Sequence, residues 1–175
     1  MVNPTARLDE LDGRILQLFS AEPRVGVLEA SRRLRVARGT VQARLDRLER
    51  DGVVTSWAPR ISPAALGYDV TAFVTLEIVQ HGGRDTISAR LAQIPEVLEC
   101  WTVTGSGDLW CRIVAHSNAD LQRVLDAMVI DAGVVRSVTL IGLAAPIPYR
   151  TEPLVLQSMG ARAGANPKTS LQFHT

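Results

Sequence analysis

Cysteine is scarce in this 175-residue chain. Cys100 and Cys111 are the two present, too few for a disulfide framework, and they point to a reducing, cytoplasmic setting. No apolar run approaches the ~20 residues that span a bilayer. Met1-Val2-Asn3-Pro4-Thr5-Ala6-Arg7 lacks the apolar core of a signal peptide, so no membrane partner is expected. The three histidines, His81, His116 and His174, are scattered without metal-ligand spacing. Gly105-Ser106-Gly107 lacks the strand-to-helix setting and the third glycine of a dinucleotide loop. No nucleophile–base pair, carboxylate dyad or phosphate loop is found. Catalysis, a metal and a cofactor are therefore not expected.

What is present is arginine, unevenly placed. The formal net charge is only +1. Residues 24–50 nevertheless hold eight arginines against Glu29, Asp46 and Glu49, a local net charge of +5 that leaves −4 for the remainder. Concentrated basic charge is an electrostatic footprint for nucleic acid. Within it, Arg38–Arg50 has Val41, Leu45 and Leu48 at helical spacing, so the spacing predicts an amphipathic helix. Its other side begins with small residues and carries arginine near both ends, which suits a helix entering a major groove. Val27–Leu34 predicts a shorter helix with Val27, Ala30 and Leu34 on one face. Only Arg35-Val36-Ala37 joins the two, with Val36 available as a plug. Two short helices, a tight turn and a small residue at the crossing make a helix-turn-helix. Leu8–Phe19 supplies the preceding helix, capped by Asp9, with Glu10 and Asp12 favouring its N-terminal end.

Val53–Pro59 reads as a short strand forming a wing or arm. The punctuation at Pro59, Pro63 and Gly67 marks a linker. The expected organisation is a DNA-binding domain over 1–60, a linker over 61–68, a second domain over 69–150 and a tail over 151–175. In the second domain the pattern predicts strand 70–80, helix 86–94, strand 97–104, turn 105–108, strand 109–115, helix 119–130 and strand 134–145. That order is the split βαβ arrangement of ferredoxin-like domains. The first strand is apolar on both faces, with Val74, Leu76 and Ile78 on one and Phe73 and Val79 on the other. Helices cover one face only, so a second copy is expected on the other, giving a homodimer. Cys100 and Cys111 fall on paired strands and read as reduced core thiols. Trp57, Trp101 and Trp110 read as packing residues, Trp110 being close to the turn.

The chain resembles the leucine-responsive regulatory protein/AsnC (Lrp/AsnC, feast/famine) family of transcription regulators. Leu8-Asp9-Glu10-Leu11-Asp12-Gly13-Arg14-Ile15-Leu16 is similar to the family's opening. The run from Val41 to Val54 resembles its recognition helix leading into the first strand. Pro63-Ala64-Ala65-Leu66-Gly67 matches its linker, and Val103–Leu109 its ligand-site hairpin. The resemblance covers residues 8–150. It implies an α+β chain with a winged-type helix-turn-helix domain followed by a ferredoxin-like domain. It also implies sequence-specific binding to double-stranded DNA by homodimers that assemble into tetramers or octamers, and a small effector, often an amino acid. Three departures stand out: Arg35 where the family tends to have Gly, Ala37 where it tends to have Ser, and Ser106 for the first Asp of the Gly-Asp-x-Asp turn.

DNA contacts are expected from Arg38, Gly39, Gln42, Ala43, Arg44 and Arg47. Arg38 and Gln42 are placed to reach base edges, and Arg47 to meet phosphate. Arg44 lies beside the apolar stripe and either meets DNA or pairs with an acid such as Asp12 or Glu49. The resemblance places effector contacts at Thr102, Gly105, Ser106, Gly107, Asp108, Leu140, Ile141 and Gly142. Asp108 either accepts a ligand ammonium or stabilises the turn. The competing readings are a ferredoxin-like enzyme and a sensor without DNA contact. No catalytic constellation supports the first, and the helix-turn-helix argues against the second.

Overall fold

The computed structural model describes residues 8–79, 84–130 and 133–160. Two compact units emerge: Met1–Pro59 with Pro148–Thr175, and Arg60–Ile147.

In the first unit, α1 spans Glu10–Ala21, α2 Val27–Leu34 and α3 Arg38–Arg50. Asp9 caps α1 reciprocally with Asp12: the Asp12 N–H donates to Asp9 Oδ1 at 2.9 Å, and the Asp9 N–H to Asp12 Oδ2 at 2.9 Å. Two N–H groups left open by helix geometry are thereby satisfied. Ile15, Leu16 and Phe19 of α1 meet Ala30 and Leu34 of α2 and Val41, Leu45 and Leu48 of α3 in one buried cluster. Val36 packs against it from the turn. Arg35 takes the left-handed conformation at φ 58° that closes α2 and turns the chain toward α3. A side chain with a Cβ gives up about 1 kcal/mol there. Val53–Pro59 is not a strand. The N–H groups of Val53 and Val54 bond back to the Leu48 carbonyl, at 2.9 and 3.1 Å, and no described segment supplies a partner ladder. Trp57 instead leans edge-on against Phe19, ring centroids 5.6 Å apart.

The second unit is a four-stranded antiparallel sheet in the order β2-β3-β1-β4. Its strands are β1 Val70–Ile78, β2 Val97–Thr102, β3 Leu109–Ala115 and β4 Val134–Gly142; its helices are α4 Arg84–Leu91 and α5 Asn118–Val129. Alternation along β1 sends Ala72, Val74, Leu76 and Ile78 into the core with Leu109, Cys111 and Ile113 of β3. Ile87, Leu91, Leu121, Val124 and Met128 come down on them from the helices. The opposite face carries Phe73 stacked on Trp110, centroids 5.4 Å apart. Trp101 pairs with Trp110, and Leu140 with Phe73, in the strand register. Trp101 is 58% exposed and Leu140 65%. Trp101 is thus not a packing residue within one chain.

Residues 61–68, expected as a linker, belong to this second unit. They fold as a 3-10 turn, Ala64–Leu66, closed by Gly67 at φ 87°. His116 Nδ1 hydrogen-bonds the Gly67 carbonyl oxygen at 2.7 Å, and its ring stacks on Tyr68 with centroids 4.0 Å apart.

The segment from 151, expected as a tail, opens with a helix instead. α6 spans Glu152–Gly160 and packs against α1, with Val155 reaching the core cluster of the first unit. Pro153 suits the first turn of a helix, where its missing N–H removes no bond. The tail beyond residue 160, with His174, lies outside the described residues, as does His81. Ending the chain after Thr151 uncovers the α1 surface that Val155 meets. The first unit should lose about 1–2 kcal/mol, since Val155 is half-buried. Amide hydrogen exchange over Ile15–Phe19 should accelerate accordingly; unchanged exchange would show that α6 contributes nothing there.

Candidate nucleic-acid interface and ligand site

The buried stripe of α3 fixes which of its residues face outward. With Val41, Leu45 and Leu48 inside, Arg38, Gly39, Gln42 and Ala43 are all exposed. Nothing lies within 4 Å of the position a Cβ would take on Gly39. Among the described residues no acid pairs with Arg38. Gln42 Nε2 donates to Asp46 Oδ1 at 2.8 Å, one turn along the same face. Ala37, the N-cap, offers no side-chain acceptor, so the first N–H groups of α3 lack a side-chain partner at the end where the helix dipole is positive. Arg32, Arg33 and Arg35 precede this end in the chain, and all three are exposed. Arg33 is tied to Glu29 at 2.9 Å and Glu22 at 2.6 Å, bonds that raise its pKa.

Arg44 and Arg47 have a different setting. Both guanidinium groups converge on Asp12, whose side chain is wholly buried. Arg44 donates to Asp12 Oδ1 at 2.9 Å and also to Asp9; Arg47 donates to Asp12 Oδ2. Of the acids open to Arg44, Asp12 is the one it pairs with, and Asp9 is added. Arg44 is held more strongly protonated by its bond to Asp9 and then to Asp12. Burial works to raise the pKa of Asp9, but the bonds from Arg44 and the Asp12 N–H bring it below the ordinary carboxylate value. A carboxyl that titrates lower in the folded state contributes stability at neutral pH. That contribution is lost as pH falls through the folded pKa.

The second site is the β2–β3 turn. Gly105 has φ 113°, a region that side chains disfavour. Gly107 is required for another reason: a Cβ there would lie 2.2 Å from Thr75 Cγ2. The turn is thus pressed onto β1. Asp108 straps it down, its N–H donating to the Leu76 carbonyl at 2.8 Å and its Oδ2 accepting the Ile78 N–H at 2.9 Å. Ser106 is exposed, and no described residue accepts a bond from the N–H of Gly105, Ser106 or Gly107. Thr102 closes β2 beside them, opposite Leu109.

Leu140, Ile141 and Gly142 are not brought to this turn within one chain. They pair with Phe73, Ala72 and Thr71, whereas the turn lies by Leu76. Gly142 is five residues along β1 from Leu76, about 17 Å at strand rise. Its lack of a side chain makes room for Phe73, whose Cε2 would be 3.2 Å from a Cβ. Among the described residues no helix is long and apolar enough to cross a membrane, and no cluster of three metal-ligating side chains is found.

A helix-turn-helix unit with a basic outward helix face, joined to a ferredoxin-like unit with a glycine turn, defines a ligand-linked DNA-binding regulator. The comparisons with known proteins agree. Residues 8–55 match the family model described as winged helix-turn-helix DNA-binding, and residues 71–151 the Lrp/AsnC ligand binding domain. An uncharacterised HTH-type transcriptional regulator of Pyrococcus abyssi is 34% identical over 119 residues, 68% of this chain and 75% of that protein. The structure of Escherichia coli AsnC superposes with a TM-score of 0.75 at 28% identity, covering 83% of this chain and 99% of that one. The feast or famine regulatory protein of M. tuberculosis, complexed with L-methionine, gives a TM-score of 0.73 at 29% identity over 81% and 96% of the two chains. The chain belongs to the Lrp/AsnC family of transcription regulators. Its relatives are regulators, not enzymes.

Replacing Asp12 with Ala leaves Arg44 and Arg47 without their shared acceptor. Removing one partner of a buried pair costs roughly 3–5 kcal/mol. Both arginines retain about a third of their exposure, so the lower end, about 3 kcal/mol, applies. Thermal unfolding should show the first unit melting well below wild type; an unchanged midpoint would refute the role given to Asp12.

Proposed function

We propose that this regulator reads its operator through the N-terminal end of α3, acts as a homodimer and answers to a small amino-acid-like effector. The observation that carries the DNA reading is the outward face of α3: Arg38, with no acid paired to it among the described residues, beside Gly39, Gln42 and Ala43, at a helix end without a side-chain cap. Arg38 and Gln42 reach base edges, and Gly39 and Ala43 permit close approach. The open N–H groups of α3 suit a backbone phosphate. Arg47 meets phosphate from a position set by Asp12, which engages one of its five N–H donors. Arg44 holds the helix in register and lies nearest the core of the pair. Such a protein works in the cytoplasm, where the DNA is.

The open sheet face supports the dimer. Phe73 and Trp110, with the exposed Trp101, Val138 and Leu140, form an apolar surface that a second copy would cover. A dimer also accounts for the distance between the turn and Leu140–Gly142: an effector site using both draws them from different protomers. Assembly of such dimers into tetramers or octamers is consistent with a site of that kind. At the turn, the N–H groups of Gly105, Ser106 and Gly107 suit a carboxylate. Asp108 spends one oxygen on Ile78, so its first duty is to hold the turn. Ser106 lowers the negative charge available to a ligand ammonium relative to the family pattern, which shifts the preference among amino acids.

Two measurements test this. Arg38→Ala should weaken binding to the matched operator by about 1–3 kcal/mol and relax the sequence preference, while Arg47→Ala weakens matched and scrambled duplexes alike and flattens the salt dependence. Equal losses on both duplexes for Arg38→Ala would remove it from the base edge. Separately, Leu140→Arg places a charge in the open face, and light scattering on the full chain should show dimers giving way to monomers. Wild-type protein that is monomeric at micromolar concentration would end the dimer reading.

A further inference from the structure

Cys100 and Cys111 take no part in the sites above. They stand on β2 and β3 as direct Cα partners in the antiparallel ladder. Residues so opposed are about 4.5–5.5 Å apart and point to one face. A disulfide asks for about 4.4–6.8 Å between Cα atoms, so this pair meets the requirement without backbone movement. Both are free thiols, and their access differs: Cys100 is exposed, while Cys111 is sealed in the core with Val74 and Ile113. Burial, and then the neighbouring Cys100, pushes the Cys111 thiol up to about 12. Cys111 therefore stays protonated at neutral pH and is closed to reagents from solvent. Trp101, the next residue of β2, pairs with Trp110 on the open face. Cys100 faces the other way, and covering the open face with a second copy leaves it accessible.

We infer that Cys100 and Cys111 form a dithiol oxidation site that hydroperoxides close to a cross-strand disulfide. The Cys100 sulfur attacks the peroxide; an S–O bond forms, the O–O bond breaks, and water or an alcohol departs. Cys111 then attacks the sulfenic sulfur of Cys100. The S–S bond forms, the S–O bond breaks, and the Cys111 proton leaves with the hydroxyl as water. The two thiols lose two electrons and the hydroperoxide gains them. The bond ties the edge strand β2 to β3 and closes a ring that contains Gly105–Asp108, cutting the freedom of the turn in the unfolded and locally opened states.

The test exposes the full chain, natively folded, to hydrogen peroxide. Both thiols should disappear together, with a Cys100–Cys111 cross-linked peptide, a mass about two units lower per chain and full reversal by dithiothreitol. The unfolding midpoint should rise by about 5 °C or more. Cys111→Ala, a small change of core volume, should instead accumulate sulfenic acid on Cys100 that dimedone traps. Cys100→Ser should leave Cys111 unmodified. Wild-type protein whose Cys100 runs on to sulfinic acid while Cys111 stays a thiol, or which links to a second chain through Cys100, would overturn the inference.

Discussion

The DNA-binding unit depends on one buried carboxylate. Asp12 has no exposure of its own, yet four groups meet at or beside it: the Asp9 N–H, the Arg44 and Arg47 guanidinium groups, and the start of α1. Removing an ionised carboxylate from water is costly, and the cost is offset only where its lone pairs are filled. Here they are filled by a helix cap on one side and by α3 on the other. The contact therefore fixes more than stability. It sets the rotation and height of α3 relative to α1, and so the direction in which Arg38 and Gln42 point. Hydrophobic contacts among Ile15, Val41 and Leu45 are non-directional by comparison. A helix whose outward face is given by Arg38 and Gln42 is oriented by such a directional anchor in a way that apolar contacts alone do not provide.

The second unit uses glycine as the first uses charge. Gly107 is pressed on Thr75, and Gly142, paired with Thr71, on Phe73. Each brings backbone close to a strand whose own side chains alternate between core and open face. The turn is held by the Asp108 N–H on the Leu76 carbonyl and by the Asp108 carboxylate on the Ile78 N–H, and no described residue accepts from the N–H groups of Gly105, Ser106 and Gly107. Rigid backbone donors of this kind cost little to order when an anion arrives.

Much of this was legible in the sequence because it is local. Helical spacing placed α2 and α3; a capping residue followed by acids placed the start of α1; alternation and turn residues placed the four strands. The left-handed conformation at Arg35 was signalled only by the resemblance, which tends to place Gly there. What was hidden is long-range. Asp12 was one of the acids open to Arg44, but the choice among them and the convergence of Arg47 on the same carboxylate were not legible: the two arginines lie 32 and 35 residues from Asp12, and helical spacing shows only that they flank a buried stripe. Val53–Pro59 has strand composition, but a ladder needs a second strand that the described chain does not provide. α6 is short, and its apolar residues, Leu154, Val155 and Leu156, are consecutive rather than spaced by turns, so only its contact with α1 reveals its role. Leu140–Gly142 and the turn share a sheet but not an end of it, a matter of register that no single segment encodes.

The first unit is discontinuous: its core takes helices from the start of the chain and Val155 from near the other end. During synthesis on the ribosome, α1, α2 and α3 emerge early and the whole ferredoxin-like unit follows before α6 exists. The half of the molecule that is translated first is therefore the half completed last. Until α6 is released, the nascent regulator has an α1 surface uncovered, and the full DNA-binding unit is obtained only from chains that have been read through to α6.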